Sequence, residues 1–101
     1  MNYNFPKTIF VEKNTFYQQI EHLLSEAEEL RKAYEACKKE GSSVHDHRNL
    51  YEEFYDVGHS FETGCRILDK KSPAINSDRI FYTTAKNHAR EYYTTEVCHE
   101  K

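Results

Sequence analysis

Among 101 residues the chain has no tryptophan, one methionine, two prolines and three glycines. So little glycine and proline excludes long flexible linkers, low-complexity tracts and a glycine-rich phosphate loop. Cysteine is also scarce. The three thiols, at positions 37, 65 and 98, never approach a C-x-x-C pair, which removes zinc-finger spacing, and an odd, scattered set does not read as a disulfide framework. No apolar run approaches the roughly 20 residues of a bilayer span. No signal-peptide pattern opens the sequence. The expectation is a cytoplasmic protein with reduced thiols and no membrane partner. An excess of one charge is missing too: 14 Lys and Arg stand against 17 Asp and Glu, for a formal net charge of -3. That balance provides no global field for gathering nucleic acid.

What is present is aromatic. Leu, Ile, Val and Phe together number twenty, a thin supply that eight tyrosines extend. A chain this short and hydrophilic forms a single marginal domain that self-association would help, so a homo-oligomer is expected.

Periodicity sets the architecture. Phe16, Ile20, Leu23, Ala27, Leu30, Tyr34 and Cys37 recur at steps of four and three, a coiled-coil-like heptad seam within a helix over residues 14–40. Thr15 with Gln18 fits a capping box, and Gly41 supplies the stop. A second helix over residues 44–70 carries Leu50, Phe54, Val57, Phe61, Gly64 and Leu68 on one stripe, with Val44, Tyr51, Gly58 and Cys65 beside it. The short connection makes these two helices antiparallel neighbours. A weaker third helix spans residues 77–98, with Phe81, Ala85, Ala89 or His88, and Tyr92 on one side. Residues 1–13 read as an extended arm, because Pro6 disfavours helix before it and Thr8-Ile9-Phe10-Val11 is β-favouring. The expected fold is all-α: a long antiparallel hairpin, a third helix completing a three-helix bundle, and a short extended N-terminal arm.

Chemistry is harder to find along single helices. Glu52, Asp56 and His59 fall within about 60° of one another on the second helix and form the best metal-like cluster. They lie opposite the Phe54–Phe61 stripe, so a solvated acidic face is the expected reading and no metal or cofactor is assigned. Cys37 and Cys65 sit on stripe positions and read as core. Cys98 beside His99 lies near a terminus, a poor place to hold catalytic geometry. With no nucleophile, no convergent ligand pair and no phosphate loop, the expectation is a non-enzymatic chain with no catalytic residue.

Two surfaces remain for binding. Phe5, Ile9 and Val11 can pack the arm over the bundle or pair it with a partner. Arg79, Lys86 and Arg90 interleave with Tyr82, Tyr92 and Tyr93 on the third helix, residue types that suit a protein hot spot. The functional expectation is a small regulator, inhibitor or adaptor of the phage or mobile-element kind, acting by protein–protein contact. Two alternatives stand beside it: a nucleic-acid-binding regulator that uses the Arg/Lys/Tyr face, and an oligomeric bundle that sequesters a small ligand.

Overall fold

The computed structural model describes residues 2–94. Among them the elements are α1 (Phe10–Lys13), α2 (Phe16–Lys38), α3 (Val44–Lys71) and α4 (Pro73–Ala89), with no strand. The all-α helical bundle is as expected, with several local corrections. Residues 10–13 form a single helical turn rather than extended chain. The third long helix starts at Pro73, not at residue 77, because proline is pre-organised for the first helical position and Ser72 serves as both C-cap and N-cap. It ends at Ala89, and the expected continuation over residues 95–98, with Cys98 and His99 nearby, lies outside the described residues.

Local chemistry accounts for the other ends. Thr15 accepts from the Gln18 N–H while Gln18 returns a bond to the Thr15 N–H, so the anticipated capping box forms. Ser43 and Asp46 build a second box at the start of α3. Gly41 takes φ +83° just past the end of α2, a conformation that L side chains rarely adopt.

Helix α3 is the hub, and three faces of it have three fates. His59, Glu62, Arg66 and Asp69 step by three and four beneath the arm. The Glu62 carboxylate accepts from the backbone N–H of Asn4 and of Phe5, at 2.9 Å each, and from the Asn4 side chain at 3.2 Å. Arg66 donates to the Phe5 carbonyl at 2.8 Å, and the Tyr3 hydroxyl donates to Asp69. Phe5 stacks on His59 at 4.6 Å, while His59 Nε2 donates to the Pro6 carbonyl. Of the cluster expected to be solvated, the arm covers His59, while Glu52 and Asp56 are exposed as expected. Val11 is buried and Phe5 half-buried in this contact, but Ile9 points outward, contrary to its expected packing role.

Glu53, Val57, Ser60, Gly64 and Ile67 form the second face, along the α2 contact. The buried Gln19 donates to the Ser60 carbonyl at 3.0 Å and its hydroxyl at 2.9 Å, and accepts from Asn14 at 2.9 Å. Phe16 and Gln19 lie against Gly64, where a Cβ would make ordinary contact at 3.7 Å. The inward line of α2 is thus Gln19, Leu23, Glu26, Leu30, Ala33 and Cys37. Relative to the expected seam, Gln19, Glu26 and Ala33 replace Ile20, Ala27 and Tyr34; Ile20 and Tyr34 are exposed.

The third face of α3 is left open. Phe54 and Phe61, expected in the core, are 60% and 54% exposed. Helix α4 covers only the C-terminal end of α3, where the buried Asn76 donates to the Cys65 carbonyl at 2.7 Å and to Asp69 at 2.9 Å. From residue 77 to residue 94, every residue except Asn87 is exposed. Phe81 and Tyr92, placed on one side of this helix by the sequence, are 65% and 66% exposed. The radius of gyration, 16.7 Å, exceeds the ~13 Å of a compact chain of this length.

Candidate functional site

Two features have the character of a site: a carboxylate cluster between α2 and α3, and an apolar groove beside α4. The cluster joins Glu26 of α2 to Glu53 and Asp56 of α3, with ligand oxygens all within 4.8 Å of one another. Antiparallel packing generates it. Glu26 lies seven residues beyond Gln19, and Glu53 seven residues before Ser60, so the line that carries the Gln19–Ser60 bond also brings the two glutamates face to face.

This arrangement is electrostatically costly. Among the described residues, no Lys or Arg makes an ion pair with Glu26, Glu53 or Asp56, and Glu26 has only His22 at 3.9 Å. Two unit charges ~4.8 Å apart repel by about 1 kcal/mol even at the dielectric of water. Burial first, then the charges of Asp56, Glu26, Glu29 and Glu52, push the Glu53 carboxyl above its ordinary range. Three carboxylate oxygens with no Lys or Arg partner among the described residues form a hard, oxygen-rich donor set of the kind that suits Mg2+ or Mn2+.

Beside the cluster, the arm, α2 and α3 enclose a cleft of about 180 Å³ lined by residues including Phe10, His22, Glu26, Asp56 and His59. Two of the three carboxylates, Glu26 and Asp56, thus border a concave space with two imidazoles in its wall. Of the metal candidate expected from sequence, Asp56 belongs to the cluster. Glu52 does not join it, and His59 has its Nε2 engaged by the arm. Glu26 and Glu53 were missed because they lie on different helices. The signal was present in retrospect: two i,i+3 acid pairs, Glu26/Glu29 and Glu53/Asp56, one on each partner of the hairpin.

The second feature is a groove of about 450 Å³ lined by Phe16, Ile20, Leu23, Phe61, Leu68 and Ile80, among others. Among the described residues, Arg79 is the one charged residue in its wall. The remaining expected binding residues do not form one surface. Phe5 and Val11 are used internally. Arg79 lies over the Tyr82 ring at 5.0 Å and Arg90 over Tyr92 at 5.8 Å, while Lys86 and Tyr93 are exposed.

Comparison with protein-family models, with curated proteins and with solved structures finds no match. No helix among the described residues is long and apolar enough to cross a membrane.

Proposed function

We propose that the protein acts at a divalent cation held between α2 and α3, on a ligand whose phosphate oxygens complete the coordination shell. The observation that carries this is the placement of Glu26, Glu53 and Asp56 within 4.8 Å across two helices, with no Lys or Arg partner among the described residues. Apolar residues on that line would make a more stable hairpin, and departures from the stable choice concentrate where function demands them. Mg2+ keeps several waters, is held by one or two carboxylates and takes substrate phosphates as further ligands. An ion held by Glu26, Glu53 and Asp56 would supply positive charge for phosphoryl oxygens and a polarised water, the chemistry that hydrolysis of a phosphate ester or anhydride requires.

Titration calorimetry with Mg2+ and Mn2+, followed by phosphate and pyrophosphate release from a panel of nucleoside triphosphates, tests this. Binding and turnover that both vanish in Glu53→Gln are expected. An absence of cation binding at millimolar concentration overturns the proposal.

A non-enzymatic role as a protein-binding regulator, inhibitor or adaptor is the second proposal, favoured by the groove beside α4 and by exposed Phe54, Phe61 and Phe81. Homo-oligomerisation belongs with it. The Arg79, Lys86 and Arg90 face would serve nucleic acid only if affinity fell steeply with salt. We place the chain in a reducing cytoplasm on the strength of its free thiols Cys37 and Cys65.

A further inference from the structure

We propose that the open face formed by α2, α3 and the start of α4 is the interface of a two-fold dimer of this chain. This rests on the groove described above and is independent of the cation site.

The first support is area. The chain exposes 7998 Å², whereas a folded monomer of 12.0 kDa exposes about 6,000 Å². Counting the residues outside the described range as wholly exposed still leaves an excess of about 1,000 Å². A stable interface removes about 800 Å² from each partner. The excess and the requirement match.

The second support is where that area lies. Ile20 and Leu24 on α2, Phe54 and Phe61 on α3, and Ile80 on α4 are 37–63% exposed. Phe54 and Phe61 are seven residues apart on one stripe, Ile20 and Leu24 one turn apart, and Ile20, Phe61 and Ile80 share the groove wall. The buried apolar residues, by contrast, are only Val11, Ala33, Cys65 and Ile67 among those described. With so small a core, the chain gains stability by covering this face. A second copy is the partner present wherever the chain is made.

The third support is charge. With Arg79 as the lone charged group of the groove wall among the described residues, the groove can meet its own copy about a two-fold axis with almost no like-charge penalty.

Light-scattering mass at tens of micromolar is the test. The wild type is expected at twice the 12.0 kDa chain mass. Phe61→Glu and Ile80→Glu, which place a carboxylate at exposed positions, are expected to give monomers that retain helical circular dichroism. Ile9→Glu, on the arm side, is expected to leave the dimer intact. A folded wild-type monomer overturns the dimer while leaving a foreign protein as occupant of the groove. A Phe61→Glu protein that stays dimeric overturns it as well. Cation binding measured on the monomeric variants separates failure of this proposal from failure of the cation site.

Discussion

The two long sides of α3 invert the usual order. Under the arm lie Glu62, Arg66, Asp69 and His59, each engaged by an arm residue. On the other side Phe54 and Phe61 stand mostly in the open. The polar side is closed because its hydrogen bonds are satisfied within the chain: among the described residues, no buried side-chain polar atom lacks a partner. Among the described residues the apolar side has no such covering element, since beyond Asn76 α4 only lines a groove beside Phe61. Closure here follows the supply of partners rather than hydrophobicity.

Gln19→Ala would break the comparison most severely. It removes a fully buried side chain and strips Ser60 and Asn14 of their partner, so a loss of about 3 kcal/mol is expected in denaturant unfolding. On the open side Phe54→Ser is expected to cost under ~0.5 kcal/mol in the dilute monomer. A larger cost that grows with protein concentration would assign Phe54 to the dimer interface.

Acid should open the closed side alone. Burial would raise the Glu62 carboxyl, but the donors of Asn4 and Phe5 outweigh it and hold the group below its ordinary value of 4.5. The Tyr3 hydroxyl and the Asn76 amide likewise hold Asp69 below 3.8. Native values depressed in this way give stability that is present above the unfolded values and lost as pH falls through the native ones. Release of the arm below about pH 4 is therefore expected, read as protease cleavage before α2 while far-UV dichroism persists. Glu62→Gln should weaken the arm at neutral pH and flatten that dependence.

Glu53→Gln probes the seam between the two sides. Removing one charge from the cluster is expected to raise the Tm of the cation-free protein and to abolish any rise on adding Mn2+. A lowered Tm would show that Glu53 has a stabilising partner instead.

Local effects concern the helices themselves. Thr15→Ala should cost about 1 kcal/mol by opening the capping box. Gly58→Ala and Gly64→Ala should each gain up to ~1 kcal/mol, because the added methyl meets Phe5 or Phe16 at an ordinary 3.6–3.7 Å.

Much of the fold was legible because helix signals are local. The Thr15–Gln18 box, the Gly41 stop, the central place of the second long helix and the antiparallel hairpin all follow from neighbouring residues and spacing. The candidate site was barely legible. The heptad seam could be drawn through Ile20, Ala27 and Tyr34 or through Gln19, Glu26 and Ala33, a rotation of one residue, and hydrophobicity favoured the first. The second won through the hydrogen bonds of Gln19 to Ser60 and Asn14, which no periodicity reveals. That rotation carries Glu26 against Glu53 and leaves Ile20 facing the groove.

The sequence by itself determined where the two helices of the hairpin form and that they lie antiparallel, since propensity, capping and a short connection act over a few residues. Tertiary structure alone decided which face of each helix is inside. Arm residues far away in sequence supply the donors and acceptors that bury the polar stripe of α3, and the apolar stripe remains outside because no segment among the described residues is placed to cover it.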